Sequence, residues 1–274
     1  MPAWRTARLV AAASHPGPTG VVTGLAALLG WTAGLRGRRL LSLVGSVLSG
    51  QLSIGWSNDL IDARRDRTVR RVDKPLVTDA RLTLPVAVAC GTATLSTAAL
   101  SVRAGRRAGV VHGVLVVGSG WAYNVGLKRT VFSFVPYAVA FGALPQVATL
   151  YANPSRFAPA TRSVAGALLG VAAHLLNVLP DLEDDRRTGV RGLPHRLSAR
   201  QLRVAAATSL GVSSVAALAE GGLTPSEVAG WGASAAALGA GVAVGRGSVP
   251  FYSAAGFALL DAGALLRAAR STAT

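Results

Sequence analysis

Asn58-Asp59-Leu60-Ile61-Asp62-Ala63-Arg64-Arg65-Asp66 is the stretch on which the reading of this chain turns. Its three aspartates fall at i, i+3 and i+7, so a helix carries them on one face. Like charges at that spacing repel one another, and the arrangement becomes favourable when a divalent cation sits among them. Hard Mg²⁺ takes oxygen ligands and bridges a few carboxylates to the phosphates of a substrate. The preceding residues, Leu40 to Trp56, are apolar over a length that crosses a bilayer. The acids therefore stand where a membrane helix meets a polar cavity or the interface, and acids so placed mark functional sites.

A second cluster answers the first. Asn177-Val178-Leu179-Pro180-Asp181-Leu182-Glu183-Asp184-Asp185 also closes an apolar segment, with Asn177, Asp181 and Asp185 at i, i+4 and i+8. Arginines follow both clusters. Two acid clusters at the ends of membrane-length segments make a sharper pattern than either alone.

Composition points the same way. Of 274 residues, 51% are hydrophobic and 15% charged, and the mean hydropathy is +0.44. Soluble domains carry about 25% charged residues, so the shortfall indicates an integral membrane protein. The net charge is +16, but the basic residues lie between apolar segments, and no basic face with interleaved aromatics is present. Nucleic acid is therefore excluded as a partner, and the arginines read as loop charges facing lipid headgroups or phosphate. The one cysteine, Cys90, sits in an apolar run and reads as a small packed side chain, with no disulfide framework. Met1 to Ser14 is expected to form an interfacial helix, with Arg5 and Arg8 towards headgroups, rather than a secretory signal.

The expected fold is all-α, a single domain over residues 1–274: a bundle of about nine transmembrane helices around a central active-site cavity. Segments of about 17–22 residues suit the hydrocarbon core. They fall at 19–35, 40–58, 82–102, 108–125, 132–151, 162–180, 201–219, 223–244 and 249–268. Abundant Ala, Gly and Ser allow close helix packing in lipid. With nine spans, 18 of the 28 basic residues share one side with both acid clusters, which the positive-inside rule makes the cytoplasmic side of the cell membrane.

At these residues the chain resembles the UbiA-type intramembrane prenyltransferases. Asn58-Asp59-x-x-Asp62-x-x-x-Asp66 is similar to their first aspartate-rich motif. Asp181-x-x-x-Asp185, preceded by Asn177 and followed by Arg186-x-x-Gly189-x-Arg191-Gly192-Leu193-Pro194, resembles the second motif and its loop. Between them, Arg67-x-x-x-Arg71-x-x-Lys74-Pro75-Leu76 looks like the basic loop after the first motif. Tyr123-Asn124 and Lys128-Arg129 resemble a further element. Two departures are visible: Lys74 stands where arginine is more usual, and the Tyr123–Lys128 spacing is one residue longer than in many members.

The resemblance implies a Mg²⁺-dependent enzyme, a transferase of alkyl groups other than methyl, moving a prenyl group from an isoprenoid diphosphate to a lipophilic acceptor in the bilayer. It implies Asp59, Asp62, Asp66, Asp181 and Asp185 as metal ligands, with Asp59, Asp62, Asp181 and Asp185 carrying the catalysis. Asn58, Arg67, Arg71, Lys74, Tyr123, Lys128, Asn177 and Arg186 would bind the diphosphate. An alternative is an intramembrane terpene cyclase, in which the chain's own double bond is the nucleophile. A third is an ion-coupled transporter, disfavoured because both clusters lie on one side and arginines follow each. Outside the motifs, Asp73, Asp79 and Glu183 read as solvated loop acids, and Asp184 as either a ligand or a solvated residue. His112 and His174 read as packed, hydrogen-bonded groups, Asp261 as structural or pocket-shaping, and Gln51 and Gln146 as acceptor contacts.

Overall fold

The structure, a computed structural model, describes residues 2–187, 189–220 and 223–271, with side chains of the last helix described as far as Leu265. Among these residues every regular element is helical. The chain opens with α1 (Ala3–Ala12), α2 (Pro16–Thr32) and the long α3 (Gly37–Thr68). Helix α4 (Thr83–Arg103) follows, then α5 (106–125), in which a π segment, Val111–Gly118, joins two α-helical ends. Five more complete the bundle: α6 (Val135–Ala152), α7 (Ala160–Asn177), α8 (Ala199–Leu218), α9 (Pro225–Val244) and α10 (Val249–Ser271).

Helices α2 to α10 lie where nine crossings were expected, but fewer of them qualify as spans on length and apolar character. Five segments do: Gly37–Thr68, Ala80–Arg103, Val135–Ala152, Ala160–Arg187 and Pro225–Val244, with Val249–Leu265 shorter. The others fall short for local reasons. Helix α2 has 17 residues, and α8 opens with Arg200, Gln201 and Arg203. In α5 the hydrogen-bond pattern changes at the π segment, which divides one apolar run into shorter pieces.

Apolar side chains cover much of the outside of the bundle. Leu84, Val88, Leu95 and Val102 of α4 are exposed and share a face, as lipid contact requires. The inward side of α3 is instead rich in hydroxyls. Buried Ser49, Ser53 and Ser57 donate to the carbonyls of Ser46, Gly50 and Ile54, so no donor is stranded away from water.

Small residues set the closest approaches. Gly170 of α7 lies directly against the Tyr137 carbonyl of α6, and a Cβ on Gly166 would stand 2.5 Å from the Phe141 carbonyl oxygen. Any larger residue would push α6 and α7 apart. Gly55 likewise lets α3 meet the backbone of Ser14, and the Trp56 indole donates to the Val10 carbonyl at 2.8 Å. These two contacts dock the α1–α2 connection onto the acid-bearing end of α3. Capping boxes at Ser198–Gln201 and Thr224–Glu227 fix where α8 and α9 begin. Helix α9 is peripheral: its one buried residue is Val242.

Candidate active site

A cavity of about 320 Å³ opens in the middle of the bundle. One face of α3 supplies Gln51, Ile54, Asn58, Asp62, Arg65 and Asp66 to its wall. These positions recur at helical spacing, so the cavity runs along α3 for about four turns. At the polar end Asp181 and Asp185 look in from the connection after α7, and Arg71, Lys74, Lys128 and His195 from the loops. Both acid clusters, 119 residues apart from Asp62 to Asp181, thus face one space.

Each carboxylate of the first cluster is buried and held by a cation. Asp59, Asp62 and Asp66 expose 2–4% of their surface. Lys128 Nζ donates to Asp62 Oδ2 at 2.6 Å, and Lys74 Nζ to Asp59 Oδ1 at 2.7 Å. Arg65 lies 3.2 Å from Asp66 Oδ1 and 3.6 Å from Asp62 Oδ2. Burial pulls the Lys128 ammonium below the usual lysine range, and the adjacent Asp62 charge opposes that pull. In the second cluster Arg71 reaches Asp181 at 3.6 Å while gripping Asp73 with two nitrogens at 2.9–3.0 Å. Hydrogen bonding to Asp73 raises the Arg71 guanidinium further above its ordinary value, and the same contact depresses Asp73.

Two histidines outside the expected residues complete the polar end. His15 Nε2 lies 2.8 Å from Asp59 Oδ1, and His195 Nε2 lies 3.2 Å from Asp185 Oδ2. His15 adopts a left-handed backbone conformation (φ 54°) at the N-cap of α2, just where α1 is docked onto α3. A non-glycine residue in that conformation is uncommon. The sequence marked only the helix start at Pro16-Gly17-Pro18, which makes His15 the N-cap of α2. His195 follows the Gly192-Leu193-Pro194 turn of the second motif's loop.

The expected site residues divide by placement. Asn58, Asp62, Asp66, Arg71, Lys74, Tyr123, Lys128, Asn177, Asp181 and Asp185 line the cavity. Asp59 stands behind it, shared between Lys74 and His15. Arg67 donates to the Leu76 carbonyl, and Arg186 to the carbonyls of His195 and Leu197, so both fasten loop backbone. Asp184 is exposed and pairs with Arg187. Asn58 donates to Asn124, which donates in turn to Ile54 O and Ser57 Oγ, fixing α3 to α5 at the level of the acids.

Other polar residues singled out from the sequence have structural partners. His112 bonds Ser46 and Ser101, His174 bonds Ser133, and Asp261 accepts from Ser214 and Trp231. Gln146 ties the backbone of Ala158 and the Ser163 hydroxyl, whereas Gln51 lines the cavity.

Residues 19–253 match the UbiA prenyltransferase family. The chain belongs to that family. No curated protein matches the sequence, but solved structures share its fold. The apo UbiA homologue of Aeropyrum pernix K1 superposes with a TM-score of 0.73 at 14% identity, over 90% of this chain and 96% of that one. A UbiA homologue of Archaeoglobus fulgidus bound to GPP and Mg²⁺ gives 0.66 at 14% identity, over 97% and 100%. A digeranylgeranylglyceryl phosphate synthase gives 0.63 at 13% identity, over 97% and 99%.

Within this UbiA fold the cavity changes character with depth. Beyond the carboxylates stand Tyr123 and Tyr137, edge to face with centroids 5.2 Å apart. Val22, Ile54, Val116, Ala140 and Leu144 continue the wall. A cationic, acid-rich mouth thus leads into an aromatic and aliphatic interior. Among the described residues, Asp59 Oδ2 and Asp62 Oδ1 are buried and have no hydrogen-bond partner. Buried carboxylate oxygens without a partner are costly, and here they sit on neighbouring turns of one helix.

Proposed function

We propose that this chain is a Mg²⁺-dependent prenyltransferase of the membrane, moving a prenyl group from an isoprenoid diphosphate to a lipophilic acceptor. The observation that carries the reading is the convergence of both acid clusters and four cations on the mouth of one apolar cavity. An isoprenoid diphosphate has the same division, an anionic head on a hydrocarbon tail.

The donor set suits Mg²⁺. Asp59 Oδ2 and Asp62 Oδ1 are free to accept, and among the described residues no three acidic, histidine or cysteine side chains already form a metal cage. Mg²⁺ is ordinarily held by one or two carboxylates, waters and substrate phosphates rather than by an all-protein cage. Two such ions, one towards Asp59, Asp62 and Asp66 and the other towards Asp181 and Asp185, would supply positive charge to the leaving diphosphate.

The protein's own groups account for the rest. Arg71, Lys74 and Lys128 neutralise phosphate oxygens, and Asn58, Asn177 and the Tyr123 hydroxyl offer hydrogen bonds at the same level. Arg67 and Arg186 hold the loops that present these groups. The donor's C1–O bond breaks with its electron pair on the diphosphate, where the fixed cations stabilise it. The faces of Tyr123 and Tyr137 border the allylic cation left behind, and the apolar walls keep water from it. An acceptor nucleophile then bonds to C1 and gives up a proton. Isoprenoid diphosphates are too charged to cross lipid unaided, so the acid-bearing face is assigned to the cytoplasm, in agreement with its excess of basic residues.

The test is incubation of purified protein in lipid nanodiscs with Mg²⁺, prenyl diphosphates and a cell lipid extract, read by mass spectrometry and diphosphate release. Prenylated lipid that disappears with chelator and returns with Mg²⁺ supports the proposal. Full activity in excess chelator would overturn it, and a cyclic hydrocarbon formed without acceptor would indicate cyclase chemistry instead.

A further inference from the structure

Beyond the main cavity lies a second, of about 50 Å³, bordered by Leu25, Leu29, Pro145, Gly166 and Leu169. Phe141 lines both. Two helices show that the small cavity continues the large one away from the acids. On α2 the lining passes from Thr19 and Val22 to Leu25 and Leu29, and on α6 from Tyr137 and Leu144 to Pro145. Phe141, its ring stacked nearly parallel to Tyr137 with centroids 6.4 Å apart, is shared by the walls of both cavities.

On the α7 side Phe141 meets glycine. Gly166 and Gly170 bring the α7 backbone so close that a Cβ on Gly170 would meet the Phe141 Cβ at 2.9 Å. Polar groups at the small cavity are already engaged. Asp261 accepts from Ser214 at 2.9 Å and from Trp231 at 3.3 Å, and Arg162 grips Glu220 at 2.6–3.0 Å. What the small cavity presents to a ligand is hydrocarbon.

The depth of the main cavity sets a scale. Asp62 and Gln51 both line it and are eleven residues apart on α3, which is about 16 Å at the helical rise. Four chain bonds of about 1.5 Å at tetrahedral angles advance about 5 Å, so about three isoprene units span that depth. The volume of about 320 Å³ is also near the lower end for ligand pockets.

We propose that Phe141 sets the donor's chain length: the main cavity takes two or three isoprene units, and the small cavity is the seat of the next one, closed off by the Phe141 ring. The inference rests on the prenyl-transfer reading above. A longer chain enters only when that ring is displaced or removed, so the enzyme selects short isoprenoid diphosphates.

Diphosphate release and product mass, measured in nanodiscs with Mg²⁺, a cell lipid extract as the acceptor source and donors of one to four isoprene units, test this. The wild type should prefer two or three units. Phe141→Ala should raise kcat/KM for the four-unit donor, relative to the two-unit donor, by at least about 10-fold, since even one methylene in an apolar pocket is worth about that much. Phe141→Leu should move the ratio in the same direction by less, and it decides the matter if the alanine variant does not fold. An unchanged length preference in a folded variant overturns the role of Phe141, as does a wild type that prefers four units. No cleavage of any donor by the wild type would instead bring down prenyl transfer itself, and this inference with it.

Discussion

Lys128 Nζ stands 2.6 Å from Asp62 Oδ2, and both residues are buried. The two are 66 residues apart, on different helical segments, and each is the other's main neutralising partner. Removing one partner of such a pair strands a charge, at a cost of about 3 kcal/mol, the low end of the usual range because both side chains also border the cavity. Lys128→Ala should therefore lower the melting temperature and reduce diphosphate release by about 100-fold or more, the usual scale for a group that stabilises charge in the transition state. Lys128→Arg, which keeps the charge, should recover most of the stability. An alanine variant with wild-type melting and turnover would show that the pair matters to neither.

Individual carboxylates should separate by role. Asp59→Ala and Asp181→Ala remove groups proposed to hold the metal, and each should cost at least about 10- to 100-fold in activity. Asp79→Ala should behave differently. Asp79 accepts from the Arg81 amide and caps the short Ala80–Leu82 turn, away from the cavity, so its loss should cost about 1 kcal/mol of stability with turnover near wild type. Steady-state kinetics on the three variants decides, and similar losses in all would break the assignment.

His195 should act through Asp185. With its Nε2 3.2 Å from Asp185 Oδ2, it orients that carboxylate as supporting groups around metal ligands do. His195→Ala should raise the Mg²⁺ concentration for half-maximal activity by about 10-fold or more, and His195→Gln should recover part of the loss. Mn²⁺ binding followed by electron paramagnetic resonance supplies a readout independent of turnover. Identical metal titrations for wild type and His195→Ala would remove His195 from the site.

Orientation in the membrane is open to cysteine labelling in a Cys90→Ala background. Thr78 is exposed at the end of the short Pro75–Thr78 helix, on the side of the acid clusters. Ser155, in the exposed connection between α6 and α7, is at the opposite side. A cysteine at Thr78 should resist a membrane-impermeant reagent until cells are permeabilised, while one at Ser155 should react at once. Thr272 would serve for the C-terminal end by the same reasoning, although it lies outside the described residues. The reverse pattern would place the acids outside the cell.

The sequence alone determined whatever depends on near neighbours along the chain. Apolar runs interrupted by arginine-rich loops specified a helical membrane bundle, because unpaired backbone groups are intolerable in lipid. Spacings of three, four and seven residues placed Asp59, Asp62 and Asp66 on one side of α3, because the helical period fixes which side chains are adjacent. The tertiary structure decided everything that joins distant segments. His15 reaches Asp59 across 44 residues because Gly55 admits the Ser14 backbone to the side of α3. Arg67 and Arg186 turn to loop carbonyls rather than to the cavity. Phe141 lines two cavities where Gly166 and Gly170 let α7 approach α6 closely. Such contacts depend on how close whole helices come and at what rotation, and helix packing settles that from both partners at once, so no single segment carries it.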